Sequence, residues 1–119
     1  MTRIITTFIA AMALLSLGAG VLPAAAGSTV TNIVASNWKF TPSKITMDVG
    51  NPTTLHLSST EGVHGLVSPE LGLKLTTIAP GKPVTVTVTP KKVGTYVLHC
   101  AIFCGLGHAD MKLTVVVTK

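Results

Sequence analysis

The sequence predicts an all-β fold, a Greek-key antiparallel β-sandwich. Apolar and polar residues alternate along several short runs, and the run Val84 to Thr89 alternates strictly, with valines on one face and threonines on the other. Turn-forming pairs such as Thr41-Pro42 and Ser68-Pro69 separate these runs. No window combines a helical period with end caps, so about seven short strands at this spacing favour two packed sheets.

The remaining strands follow from the same alternation. Ile45, Met47 and Val49 share one face of an early run, and Leu55 and Leu57 flank His56 in the next. Two later runs place Tyr96, Leu98 and Cys100 opposite Val97 and His99, and Leu113, Val115 and Val117 opposite Thr114, Val116 and Thr118. The alternation therefore predicts an inward Met47 and two outward surface histidines, His56 and His99.

The N-terminal stretch, residues 1–26, is predicted to be a cleavable signal peptide. Arg3 supplies a positive charge, Ile4 to Leu22 is an apolar run, and Pro23 ends it. Ala24-Ala25-Ala26 has the small residues that a signal peptidase accepts, so the mature domain would be residues 27–119. The alternative is a membrane anchor that is kept, since the run is just long enough to span a bilayer. Either way the domain is expected to be exported to the periplasm or secreted.

Length and charge limit the function classes. A chain of 119 residues with 47% hydrophobic and 11% charged residues forms one compact domain. Without Arg3, eight lysines stand against four acidic residues, and 8 − 4 gives a net charge of +4. Only Lys91 and Lys92 are adjacent, without interleaved aromatic residues, which argues against nucleic-acid binding. The charge is interpreted as a solvated surface that steers an acidic redox partner.

The chemistry is concentrated between the last two predicted strands. Cys100, Cys104, His108 and Met111 lie within twelve positions and bring two thiols, an imidazole and a thioether into one glycine-containing loop. These soft donors select copper over magnesium, calcium or manganese. Another strong ligand must come from elsewhere, and His64, in a glycine-flanked loop, is the candidate.

This pattern, C-x3-C-x3-H-x2-M after a lone loop histidine, resembles the copper-A domain of haem-copper oxidase subunit II and of nitrous oxide reductase. Short sequence segments around the ligands also match, and the resemblance covers about Asn37 to Val117. Four short segments carry it: Cys104-Gly105-Leu106-Gly107-His108, Val63-His64-Gly65, Pro80-Gly81 and Gly94-Thr95-Tyr96. The resemblance implies a cupredoxin-like fold and a binuclear copper centre.

The resemblance also implies a role for each ligand. Cys100 and Cys104 would be thiolates that bridge both coppers, and His64 and His108 would each bind one of them. Met111 would be a weak axial ligand of the copper bound by His64, and the main-chain carbonyl of Ile102 the weak ligand of the other.

Two positions depart from the family pattern, and so does the architecture. The oxidases commonly have glutamate where this chain has Ile102, which is compatible because the main chain does the ligating. They usually have aspartate at the position of Gly62, and Glu61 is the candidate to replace it. Their subunits also carry transmembrane helices before the copper domain, whereas the only such run here is the predicted leader.

Other interpretations of the same residues stay open. Cys100 and Cys104 could form a short disulfide, or with His64 and His108 a zinc site, although the two histidines are far apart in sequence for structural zinc. Trp38 is expected to fill the core or its edge, with electron entry as a further option.

Three functional classes follow. The first is an electron-transfer protein with a binuclear copper centre, either a soluble carrier or a detached component of a terminal oxidase. The others are a copper-delivery protein and a mononuclear blue-copper protein that uses one cysteine. None of these ligand sets leaves a position for substrate, so no catalysis is expected of the chain by itself. The expected partner is a cytochrome or an oxidase subunit, and no stable membrane span is expected after cleavage.

Overall fold

The structure is a computed structural model, and it describes Gly18 and residues 28–119. The predicted signal peptide and its cleavage site fall outside the described residues, except for Gly18. Within the described part there are nine strands: Thr29–Ser36 (β1), Lys39–Thr41 (β2), Lys44–Asp48 (β3), Thr53–Ser59 (β4), His64–Ser68 (β5), Leu73–Ile78 (β6), Val84–Val88 (β7), Gly94–His99 (β8) and Lys112–Thr118 (β9).

Helical structure in residues 28–119 is limited to two 3-10 turns, Pro69–Leu71 and His108–Asp110. The first follows Ser68, whose hydroxyl accepts a hydrogen bond from the Leu71 N–H. The prediction of an all-β domain is thereby confirmed. No helix of the described residues has the length and apolar character needed to cross a bilayer.

The strands form three sheets. Four strands lie in the order β2-β1-β4-β7, three lie in the order β3-β9-β8, and β5 and β6 form a separate hairpin. The hydrophobic core takes side chains from all three sheets, including Leu57 of β4, Leu66 of β5 and Leu113 of β9, none of which is exposed.

Two strand pairings are parallel, which corrects the prediction of a purely antiparallel sandwich. β1 runs parallel to β4, with Ile33 opposite Leu57, and β3 runs parallel to β9, with Ile45 opposite Val115. The chain enters the second sheet at β3 and returns to the first at β4, so β4 runs beside β1 in the same direction. The other four pairings are antiparallel.

The predicted alternation appears as burial. In β9, Leu113, Val115 and Val117 are buried, whereas Val116 on the other face is only half-buried. Met47 is buried, and His56 and His99 are exposed, as predicted. Burial of the apolar faces is the main stabilising contribution of such a sandwich.

One end of the domain gathers the loops that carry the predicted ligands. The Cys100 N–H donates to the Met111 carbonyl at 2.9 Å, which closes the β8–β9 loop at its base. The Ala101 N–H donates to the Gly65 carbonyl at 2.9 Å and joins this loop to the start of β5. The loop of His64 and the loop of the cysteines are therefore neighbours.

Candidate metal centre

The structure brings the predicted ligand residues together at this end of the fold. His64 is the first residue of β5, and the other five lie between the end of β8 and the start of β9: Cys100, Ile102, Cys104, His108 and Met111. The donor atoms of His64, Cys100 and Cys104 all lie within 4.8 Å of one another. Residues separated by 36 positions in sequence thus share one site.

Cys100 forms the inner part of the site. Its Sγ lies 3.8 Å from Nδ1 of His64 and 3.2 Å from the carbonyl oxygen of Ile102, and the residue is buried. The Ile102 side chain packs against the main chain of Gly65, where a Cβ would lie only 2.8 Å from Ile102 Cγ1. This contact keeps the Ile102 carbonyl on the side of the sulfur.

Cys104 forms the outer part. Its Sγ lies 3.5 Å from Nδ1 of His108 and 3.7 Å from Sδ of Met111. Met111 is completely buried, whereas Cys104 and His108 are half-buried. The ring of the exposed Phe103 lies 5.4 Å from that of His108, centroid to centroid, with the two planes tilted by 49°.

His64 is completely buried, and its two ring nitrogens have different neighbours. Nε2 lies 2.8 Å from the main-chain carbonyl oxygen of Glu61. A carbonyl only accepts hydrogen bonds, so Nε2 carries the proton and Nδ1 presents its lone pair towards Cys100. This arrangement orients the ring as a metal-binding histidine requires.

The environment of His64 differs from the arrangement that the family pattern predicts. Glu61 supplies its main-chain carbonyl, and its carboxylate instead accepts a hydrogen bond from the Asn37 N–H at 3.1 Å. Gly62 has a φ of +76°, and a Cβ there would lie 2.6 Å from Asn37 Oδ1. A side chain at position 62 does not fit this conformation. Glu61, the expected replacement, does contact His64, but through its main-chain carbonyl and not its carboxylate.

Burial raises the pKa of the Cys104 thiol from 9.0 to about 11, and the neighbouring Cys100 thiol adds to the increase. Both effects penalise the thiolate in the absence of a nearby cation. A cation that accepts both sulfurs removes this penalty, because metal binding replaces the protons.

The donor set fits copper. Two thiol sulfurs, two imidazole nitrogens, one thioether sulfur and one carbonyl oxygen lie together, and this soft combination is characteristic of copper sites. Hard cations such as calcium and magnesium prefer oxygen ligands, and among the six predicted ligand residues only Ile102 is expected to contribute an oxygen, its main-chain carbonyl.

Trp38 belongs to the surroundings of the site, which the sequence pattern did not show. Its Nε1–H donates to the Cys104 carbonyl at 2.8 Å, and 41% of the residue is exposed. It therefore lies over the cysteine loop and outside the buried core. The sequence analysis expected Trp38 in the core or at its edge, with electron entry as a further option, and gave no sign of this hydrogen bond.

Similarity to known proteins was found in both sequence and structure. The family description "Cupredoxin-like domain" matches residues 4–117. Cytochrome c oxidase subunit 2 of Thermus thermophilus is 29% identical over 87 residues, which are 73% of this chain and 64% of that protein. The chain spans less than two thirds of the length of the curated relatives it matches.

Two solved structures show the same fold. The periplasmic domain of subunit II of cytochrome oxidase of Bradyrhizobium japonicum has a TM-score of 0.69 and 14% identity, and the alignment covers 76% of this chain and 84% of that one. A heme-copper terminal oxidase dimer has a TM-score of 0.65 and 24% identity, with 77% and 66% coverage. The family match over nearly the whole chain shows that it belongs to the cupredoxin-like family, and its sequence is similar to that of cytochrome c oxidase subunit 2.

Proposed function

We propose that the protein is a copper-binding electron-transfer protein with a binuclear centre. One observation carries the proposal: the site contains two separate thiol–imidazole pairs. Cys100 faces His64 at 3.8 Å, and Cys104 faces His108 at 3.5 Å. A mononuclear blue-copper site needs a single cysteine, so a second cysteine with a histidine of its own favours two metal ions.

In this proposal Cys100 and Cys104 are shared thiolate ligands, and His64 and His108 each bind one copper. Met111 and the Ile102 carbonyl are the weak ligands, in keeping with their contacts to the two sulfurs. When bound, the copper pair supplies an acceptor and donor of single electrons. The protein contributes a site with few water-exposed donors, since His64, Cys100 and Met111 are buried.

Rigidity of the ligands supports electron transfer over delivery. The loop is tied at its base between β8 and β9 and at Ala101 to the start of β5. Ligands held in place change position little between oxidation states, whereas a delivery protein must release its metal. The protein would act as a soluble carrier or as a subunit II-like component of a terminal oxidase.

The surface around the site suits a brief contact with a redox partner. Phe103 is 78% exposed and Leu106 is 96% exposed in the cysteine loop, and Trp38 and Val63, the residue before His64, are also exposed. Apolar side chains around a redox site allow close approach without trapping water. The proposed partner is a cytochrome or an oxidase subunit, reached through the net positive charge if its surface is acidic.

Export to the periplasm or the exterior is part of the proposal. It rests on the predicted leader, residues 1–26, and on the likeness to a periplasmic oxidase domain. Mass spectrometry of the exported protein should find Gly27 as the first residue. An intact Met1 in the membrane fraction would mean that the apolar run is kept as an anchor.

Metal analysis and electron paramagnetic resonance test the centre itself. The reconstituted protein should bind two coppers per chain, and its spectrum should show one unpaired electron coupled to both nuclei. Saturation at one copper per chain with an intense blue colour would contradict the binuclear centre and favour a mononuclear one. Copper that exchanges rapidly and cannot be reduced and reoxidised would favour delivery instead.

A further inference from the structure

The turn between β1 and β2 touches both chain segments that carry the ligands. The Trp38 indole N–H donates to the Cys104 carbonyl at 2.8 Å. In the neighbouring residue, the Asn37 N–H donates to Oε1 of Glu61 at 3.1 Å, and the Glu61 carbonyl holds the ring of His64. One short turn thus links the cysteine loop to the histidine loop.

The indole also fills the space that Gly107 leaves open. A Cβ at position 107 would lie 2.5 Å from Cγ and from Cδ2 of Trp38. Gly107 has φ −89° and ψ 7°, a conformation open to other residues, so the backbone gives no reason for a glycine there. The reason is the ring that lies against it. At Gly105 the indole is also close, but a φ of +116° already favours glycine.

We propose that Trp38 is a positioning residue of the metal centre. Its N–H fixes the main chain at Cys104, and its ring fixes the main chain at Gly107, so the segment that carries Cys104 and His108 is held from outside. The proposal rests on the proposed function for the identity of the metal. The fixed loop itself is a property of the metal-free protein.

This assignment explains why the outer pair of ligands needs external support. Cys100 and Met111 flank the base of the loop and share a main-chain hydrogen bond, whereas Cys104 and His108 lie in its middle. Among the described residues, the side-chain-to-main-chain hydrogen bond from Trp38 is the one that ties the middle of this loop to another strand connection. Without it, Cys104 and His108 would be free to move relative to His64.

Amide hydrogen exchange of the metal-free protein is the first test. The His108 N–H donates to Gly105 and the Met111 N–H to His108 in the 3-10 turn, so both report on loop order. Trp38→Phe removes the N–H but keeps the Cβ, Cγ and Cδ2 atoms near Gly107. Exchange at these two amides should accelerate about tenfold, the factor expected for one hydrogen bond.

Tyr96→Phe is the matched control. It removes another side-chain hydrogen bond to a main-chain carbonyl, that of Lys92 in the β7–β8 connection, and should leave exchange at His108 and Met111 unchanged. Unchanged exchange in Trp38→Phe as well would overturn the proposal.

Gly107→Ala tests the ring contact. In the wild-type background its methyl group collides with the indole, and exchange at His108 should accelerate by about as much as in Trp38→Phe. In a Trp38→Ala background the same substitution should add nothing, because the ring is gone. An equal effect in both backgrounds would show that the ring does not fix Gly107, and would overturn the ring-contact part of the proposal.

Copper-loaded protein gives the second readout. Trp38→Phe should lose copper to a chelator about tenfold faster than wild type, with a changed hyperfine pattern, whereas Tyr96→Phe should match wild type. A Trp38→Phe protein with the wild-type spectrum and rate would contradict the positioning role. If the wild type bound no copper, the proposed function would fail, and the exchange measurement would still decide the role of Trp38.

Discussion

Cys100 and Cys104 stand in different surroundings although they belong to one loop. Cys100 is buried against His64, while Cys104 is half-buried between His108 and Met111. The serine oxygen is a harder donor than the cysteine sulfur, and the serine hydroxyl is a far weaker acid than the thiol. Serine is therefore a poor ligand for copper. Cys100→Ser and Cys104→Ser should therefore each abolish the binuclear spectrum and leave at most one copper per chain. A wild-type spectrum in Cys104→Ser would show that this cysteine is not a ligand.

Met111→Leu should behave differently, because it removes only a weak ligand and conserves volume in a completely buried position. Both coppers should remain, and the reduction potential should shift. Met47→Leu, buried in β3, is the matched control and should leave the potential unchanged.

The raised pKa of Cys104 makes the metal-free fold sensitive to alkaline pH. The thiol has a pKa of about 11 in the fold and 9.0 as its ordinary value, so the fold favours the protonated form. This contribution to stability is complete below pH 9.0 and is lost as the pH rises towards 11. Urea unfolding in this range should show stability that falls faster for wild type than for Cys104→Ser. Parallel curves would mean that the thiol is not destabilised as an anion.

Sequence reasoning reached the ligand residues because their types and spacing are local. It missed the Glu61 carbonyl as the partner of His64, since any residue offers a carbonyl and no letter in the sequence marks which one turns inward. It also placed Trp38 by its hydrophobicity in the core or at its edge. The hydrogen bond to Cys104 spans 66 positions and depends on how two loops pack.

At the scale of the strands, alternation was sufficient to place β7, β8 and β9 and to choose their inner faces. It was not sufficient to pair them. The parallel neighbours β1 and β4 are set by the route of the chain between two sheets, and that route leaves no periodic signal in either strand. For the same reason the separate hairpin of β5 and β6, which carries His64, could not be predicted as an independent sheet.

The strand faces differ in their contribution to stability. Leu57 of β4 is completely buried, whereas Leu75 of β6 is 60% exposed. Leu57→Ala should lower the free energy of unfolding by about 2–5 kcal/mol, through lost burial and a cavity. The identical substitution Leu75→Ala should change it by less than about 0.5 kcal/mol. Chemical denaturation measures both, and similar losses at the two positions would contradict the packing described for β4.

For the whole molecule, the metal centre joins two separate sheets at one end of their common hydrophobic core. His64 belongs to the β5–β6 hairpin, and the other ligands lie between two strands of the β3-β9-β8 sheet. In the main chain, the Ala101 to Gly65 hydrogen bond connects the cysteine loop to this hairpin. Metal bound to both segments would act as a cross-link that exists only in the folded state.

Copper should therefore stabilise the entire domain and not the loop alone. A ligand at about 100 times its dissociation constant adds about 2.7 kcal/mol to the free energy of unfolding, which for a domain of this size raises Tm by at least about 10 °C. Calorimetry with and without copper should show this increase, and a copper chelator should reverse it. His64→Ala is the decisive control, because it removes the hairpin's ligand while leaving those of the β8–β9 loop. Its Tm should gain much less from copper, and an undiminished gain would mean that the metal binds within the loop alone.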